Sequence, residues 1–369
     1  MKSTVQYKCP DCDGDIHYDP KMRMFACDWC HSYFTKEQLV GDEDFAEDDN
    51  NTPNYADELD VYVCASCGAE IVCDHNTSAT FCRYCHSPVA LKGRLSGNYR
   101  PEYIIPFKID KDMAIAALRE EFKKEFFASK TFLSDATLET MKGLYVPFWM
   151  ADCDVHSMIE GTGSKPSPYN DFVAMNYGVG GFHGSYGDDK SFQYKFVRHA
   201  DIHFSKVPIV ASKQINDELI NSIEPYSYSE LKDFSMSYLS GLYAEKFDLS
   251  PGRINGKLHA KLRSGAEATI ERVSMTAYQN INVRNNLLTI KSCDWHFVLL
   301  PVWFMSYKFG RDTYFYAVNG QTGKAYGKYP LSIFKVLLSG VAVGLLSAFF
   351  PIASLIVLTS ASTSLAKKK

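Results

Sequence analysis

Apolar residues recur at helical spacing in three windows of the chain. Ile115, Leu118, Phe122 and Phe126 line one face behind the polar start Asp110-Lys111-Asp112. Leu231, Phe234, Tyr238 and Leu242 follow Ser227-Tyr228-Ser229-Glu230, a capping-box pattern that predicts a second helix. Leu258, Leu262, Ala266, Ile270, Val273 and Ala277 predict a third. Apolar runs at 145–150, 207–210, 297–304 and 314–318 read as strands. The last meets Asn319-Gly320, a two-residue hairpin signal. Helices and strands do not alternate regularly, so residues 100–330 are expected to form a mixed α+β domain. Pro147-Phe148-Trp149 is echoed by Pro301-Val302-Trp303, and a proline within a strand suggests an edge or a bulge. The two runs read as equivalent strands of a degenerate duplication, with their tryptophans in the core.

One apolar run has no helical or strand period. Residues 336–358 carry no charge over 23 positions, which as a helix would be about 34 Å long, enough for a bilayer core. A transmembrane helix is therefore expected at 333–359, followed by a basic tail at 360–369, in a single-pass protein of the cell membrane. Lys324, Lys328 and Lys335 precede the run and Lys367, Lys368 and Lys369 follow it, so flanking charge does not orient it.

The cysteines name their chemistry more directly. Cys9, Cys12, Cys27 and Cys30 are spaced C-x2-C-x14-C-x2-C, and Cys64, Cys67, Cys82 and Cys85 repeat the pattern 55 residues later. Each C-x2-C forms a tight knuckle with two thiolates, and an intervening hairpin brings two knuckles together around tetrahedral Zn²⁺. The expected modules are zinc ribbon 1 at 5–38, an acidic linker at 39–60 and zinc ribbon 2 at 61–95, holding two structural Zn²⁺ ions. Four thiolates per ion leave no open coordination position, so these sites are structural and not catalytic. His31 and His86 follow the second knuckles and are expected to be exposed or supporting residues, not ligands. Thiolates also favour a reducing compartment, which places the bulk of the chain in the cytoplasm.

Charge narrows the partners. The first 95 residues hold 8 Lys/Arg against 17 Asp/Glu, within a chain of net charge −4. Nucleic-acid binding needs the opposite sign, so it is disfavoured. No catalytic pattern emerges. The Gly-rich stretch 178–185 lacks a phosphate-cradle motif, and His183, His199 and His203 have no partner pattern for nucleophilic catalysis. Cys153-Asp154-Val155-His156 and Cys293-Asp294-Trp295-His296 could converge on a Cys2His2 site. In extended strands, however, residues three apart point to opposite faces.

These motifs, together with Tyr145-Val146-Pro147-Phe148-Trp149, Ile223-Glu224-Pro225, the segment 238–244, Leu300-Pro301-Val302-Trp303 and Asn319-Gly320-Gln321-Thr322-Gly323-Lys324, resemble a bacterial family, chiefly of Firmicutes. Its members are TFIIB-type zinc ribbon-containing membrane proteins, and the resemblance spans nearly the whole chain. Some are similar to the zinc-ribbon membrane protein encoded beside phage-shock protein A and a partner related to SPFH and virion-core proteins. The resemblance implies a membrane-anchored adaptor or scaffold recruiting protein partners under envelope stress. A membrane-tethered nucleic-acid binder is the alternative, and an enzyme housed in 100–330 the third. Members also labelled replication-restart helicases share the ribbons only; this chain has no Walker motif.

Overall fold

The computed structural model describes residues 2–5, 7–39, 60–64, 68, 70–73, 77–81, 88–91, 100–129, 134–166, 191–213, 215–245, 247–276, 278–309 and 311–349. Residues 40–59 of the linker, most of the cysteines of the expected second ribbon, the Gly-rich stretch with His183 and the tail lie outside them. The N-terminal strands are β1 (Lys2–Val5), β2 (Ile16–Asp19), β3 (Met24–Cys27), β4 (Tyr33–Phe34), β5 (Asp60–Val63), β6 (Glu70–Cys73), β7 (Thr77–Phe81) and β8 (Pro88–Leu91). Next come β9 (Tyr103–Ile104), helices α1 (Lys111–Lys123) and α2 (Asp135–Leu138), then β10 (Lys142–Pro166) and β11 (Ser191–Val210). Helix α3 (Asp217–Ile223), β12 (Lys232–Asp233), β13 (Tyr243–Glu245) and α4 (Pro251–Ser274) follow. The chain continues through β14 (Gln279–Phe309), β15 (Asp312–Asn319), β16 (Ala325–Gly327) and α5 (Ile333–Phe349).

The expected balance of helix and strand is corrected: the protein is mostly β-sheet. Three of the four apolar runs are fragments of much longer strands, of 25 residues in β10, 20 in β11 and 31 in β14. Strands β10 and β14 pair antiparallel from Lys142↔Phe304 to Ser164↔Gln279, with β11 on the other side of β10. Among the described residues thirteen strands join this sheet, while β2, β3 and β4 form a separate three-stranded one. The second-ribbon strands enter the large sheet through β7, which pairs with β13, and β1 bridges β8 and β5.

The tryptophan motifs are interior, not edge strands, and they pair with each other, Tyr145 opposite Pro301 and Pro147 opposite Leu299. Their prolines are tolerated because each sits where its strand changes neighbour. Pro147 falls between the residues of β10 paired with β13 and those paired with β11. Pro301 falls between the stretches of β14 paired with β9 and with β15. A missing N–H costs no ladder bond at such a gap. The runs are continuously apolar because both faces are covered there. Tyr145, Leu299 and Trp303 pack with α1, whereas Val146, Phe148, Leu300 and Val302 pack with α3. Trp149 and Trp303 donate their indole N–H to Leu249 O and Ile109 O, both at 2.8 Å.

Two predicted helices form. Asp110 caps α1 by accepting from Met113 N at 2.7 Å, with Ala114, Leu118 and Phe122 buried; Phe126 lies beyond its end and is exposed. Helix α4 buries Ile254, Leu258, Leu262, Ala266 and Ile270, while Val273 is exposed and Ala277 lies outside the described residues. The helix predicted after Ser227 does not form. Glu230, which should close the capping box, instead binds Lys108 at 2.8 Å and Gln321 at 3.0 Å. The segment breaks instead into short 3₁₀ turns at 228–230 and 236–239 and the strands β12 and β13, with Phe234, Tyr238 and Leu242 buried in the core shared with α1.

The hairpin after β15 spans residues 320–324 instead of a two-residue turn, because Asn319 is fully buried and organises the loop through its side chain. Its Oδ1 accepts from Gln321 N and Thr322 N at 2.9 and 3.0 Å, and its Nδ2 donates to Ile223 O and Pro225 O at 3.0 and 3.3 Å.

The expected transmembrane helix is also corrected. Helix α5 is described over Ile333–Phe349, 17 residues, about 26 Å against a hydrocarbon core of about 30 Å. Among the described residues no helix is long and apolar enough to cross a membrane. The single-pass membrane location, the bilayer contact and the orientation derived from them lose their support. Positions 350–369 lie outside the described residues. The helix is attached at its base, where Lys335 donates to Phe126 O and Ala128 O, both at 2.9 Å.

Replacing Asn319 with Ala removes the partner of two N–H groups and two carbonyls, of which Gln321 N and Ile223 O belong to buried residues. Urea unfolding of Asn319→Ala should show a loss of about 3 kcal/mol, given about 1–3 kcal/mol per orphaned buried group.

Candidate metal centre

Both knuckles of the first ribbon are built by the same backbone device. Cys9 O accepts from Asp13 N at 2.9 Å and Cys9 N donates to Gly14 O at 2.8 Å. Cys27 O accepts from His31 N at 3.1 Å and Cys27 N donates to Ser32 O at 3.0 Å. Each turn needs a left-handed residue four positions after its first cysteine, filled by Asp13 (φ 58°) and His31 (φ 57°). His31 is thus a turn residue with an exposed side chain and not a ligand. The β2–β3 hairpin closes through Asp19, whose Oδ1 accepts from Lys21 N at 2.8 Å, and through left-handed Arg23 (φ 54°).

This frame brings the four sulfurs of Cys9, Cys12, Cys27 and Cys30 within 4.8 Å of one another. Cys9 lies 3.5 Å from Cys30 and Cys12 lies 3.5 Å from Cys27. Sulfurs about 2.3 Å from a tetrahedral ion stand about 3.8 Å apart, so the group can hold a metal ion with little movement. Cys9 and Cys27 are buried and Cys12 and Cys30 exposed. The Ser32 hydroxyl, 3.4 Å away, and then its backbone lower the Cys30 thiol to about 6, whereas burial raises that of Cys9.

The second ribbon shows one matching element. Gly68 N donates to Cys64 O at 2.8 Å, and Gly68 is left-handed (φ 73°), the same turn as at Cys9 and Cys27. Cys64 is buried with Tyr62, Val89 and Leu91. Cys67, Cys82, Cys85 and His86 lie outside the described residues.

The first ribbon is not a free satellite. Cys9, Ile16, Tyr18, Phe25, Cys27 and Phe34 share one core with Tyr238, Leu239 and Leu242. Tyr18 N donates to Ser240 O at 3.2 Å, and Tyr238 packs edge-on to Tyr18 at 5.6 Å between ring centroids. Trp29 remains outside: it lies on the second knuckle between Cys27 and Cys30, is 77% exposed, and leans its ring over Gly14.

The two C-D-x-H segments do not make a Cys2His2 site. Cys153 and Cys293 stand directly opposite on β10 and β14 and are joined to each other as a disulfide. Cys153 lies on the face packed under α4 with Ala151, Val155 and Leu258. His156, three residues on, projects from the other face and its Nδ1 meets Asp201 Oδ1 at 2.8 Å. His296 turns to Glu102 at 2.6 Å. What motif reading missed is a polar row on this second face. His203 Nδ1 meets Asp154 Oδ1 at 2.8 Å, His199 Nδ1 lies 3.4 Å from His156 Nε2, and Lys291 Nζ meets Asp201 Oδ1 at 2.7 Å. Neighbouring groups hold both carboxylates below their usual range: the His203 hydrogen bond first at Asp154, Lys291 first at Asp201. The available signal was period two, in Asp152-x-Asp154-x-His156 and His199-x-Asp201-x-His203.

Fold and site define a β-rich protein with an N-terminal four-cysteine ribbon docked on a long-stranded sheet. The chain is 32% identical over 342 residues to the uncharacterized protein YdjG of Bacillus subtilis (strain 168), a match covering 92% of this chain and 95% of that protein, and it belongs to the same family. No family model matches the chain, and no solved structure matches it.

Because the ribbon and the segment 236–242 share a core, Cys9→Ser should be felt in both. Hydrogen exchange should accelerate over residues 7–39 and 236–244 while the buried face of α4 keeps its protection.

Proposed function

We propose that the chain is a zinc-dependent adaptor, not an enzyme, whose ribbons hold two structural Zn²⁺ ions and present surfaces for protein partners. The observation that carries this reading is Trp29. A large aromatic, 77% exposed, would be costly to display unless something covers it, and tryptophan is among the residues that most often dominate binding at protein interfaces. Its position between two metal-ligating cysteines holds the backbone rigid, so little ordering entropy is lost on docking. The four-thiolate donor set supports a structural ion, since it leaves no site for an activated water. The acidic balance of the first 95 residues argues for a protein over a nucleic acid. SPFH/virion-core-like and phage-shock-type proteins, which the family resemblance implies, are the first partners to test.

Metal analysis of the full chain should return two zinc ions, one of them lost on replacing Cys9, Cys12, Cys27 and Cys30 by Ser. Trp29→Ala should retain both ions yet weaken partner capture by about 2 kcal/mol or more, the range of interface hot spots. Undiminished capture would remove Trp29 from the interface, and salt-sensitive binding of DNA by the wild type would favour the nucleic-acid reading.

A further inference from the structure

The polar face of β10 and β11 carries a donor arrangement that the ribbons do not use. Asp201 accepts from His156 Nδ1 at 2.8 Å and is itself held by Lys291 at 2.7 Å. That contact places the proton of a neutral His156 on Nδ1 and leaves the Nε2 lone pair facing outward. Lys291 reaches the pair because a bulge in β14 sets it between Ser292, opposite Asp154, and Ile290, opposite Val155. The next histidine on that face, His199, lies diagonally across the strands and points Nδ1 at His156 Nε2 from 3.4 Å, the rings inclined by only 30°.

The directly opposed pairs His156–Asp201 and His203–Asp154 are accounted for by cross-strand charge pairing. The approach of two imidazole nitrogens is met either by a hydrogen bond from one ring to the other or by a shared cation. Both cannot carry protons at that distance, and the lone pairs repel unless a proton or a cation lies between them. Two nitrogens each about 2.0–2.1 Å from one tetrahedral ion stand about 3.3–3.4 Å apart, which is the separation found. The carboxylate behind His156 is the usual outer partner of a metal-bound imidazole. Both histidines sit on paired strands backed by α4 and the Cys153–Cys293 bridge, so the geometry is held by the sheet and not by a loop.

We propose that His156 Nε2 and His199 Nδ1 form a second kind of metal site, binding a divalent ion of the Zn²⁺, Ni²⁺ or Cu²⁺ class with water in its remaining positions. Imidazole suits these ions, and Asp201 acts as a positioning residue. The site is distinct from the thiolate centre and stands whether or not the adaptor reading holds.

Calorimetric titration of Ni²⁺ into the zinc-saturated full chain tests it, with zinc content followed by metal analysis so that displacement from thiolates is recognised. One saturable Ni²⁺ per chain is expected without zinc release. His156→Ala and His199→Ala should each abolish it, and Asp201→Asn should weaken it about 10–100-fold. His203→Ala, on the same exposed face but outside the nitrogen pair, should leave it intact. No saturable binding up to about 1 mM, or binding indifferent to both His156→Ala and His199→Ala, would overturn the proposal. Unchanged affinity in Asp201→Asn would overturn the role given to the carboxylate.

Discussion

The antiparallel pairing of β10 with β14 is the constraint on which the rest of the molecule depends. It runs without interruption of partner from Lys142↔Phe304 to Ser164↔Gln279, and everything else attaches to it. At one end both faces are buried, against α1 and the ribbon on one side and α3 on the other. Towards the other end α4 continues to cover one face while the opposite face becomes polar. The register therefore decides at once which residues form two cores, which cysteines meet and which histidines line a solvent-facing row. A slip of one residue would exchange Cys153 with Asp154 across the sheet and empty both arrangements.

The local chemistry of the knuckles was legible in the sequence because it depends on short spacing alone. Two residues between cysteines force a turn, and that turn repeats at Cys9, Cys27 and Cys64 with the same left-handed residue behind it. The amphipathic patterns of α1 and α4 were legible for the same reason. What failed were inferences from local pattern to distant partners. Glu230 has good capping credentials, yet Lys108 and Gln321, far away in sequence, compete for its carboxylate and win. Asn319-Gly320 promises a two-residue turn, yet the buried amide of Asn319 is worth more as a tie to Ile223 and Pro225. The prolines of the tryptophan motifs look like edge markers until the neighbours on each side of the strands are known.

The metal candidates show the same division. Four cysteines converge because two hairpin-linked knuckles can hardly do otherwise. The pairing of Cys153 with Cys293 and the gathering of His156, His199 and Asp201 depend on strand register over a separation of 140 residues in one case and on a 24-residue gap between strands in the other. No spacing rule reaches that far. Only the alternation of acid and histidine at period two hinted that these side chains share one face.

The core shared between the first ribbon and the segment around Tyr238 has a thermodynamic consequence. An ion held by the folded ribbon is a ligand of the native state, because the four sulfurs are gathered only there. By mass action, each tenfold rise in free metal above the dissociation constant adds about 1.4 kcal/mol to the folded form. Since Tyr18, Phe25 and Tyr238 cannot separate without exposing one another, that gain is transmitted into the sheet beyond the ribbon. Were the ribbon loaded, an unloaded chain would be the less stable form and the more open to proteolysis.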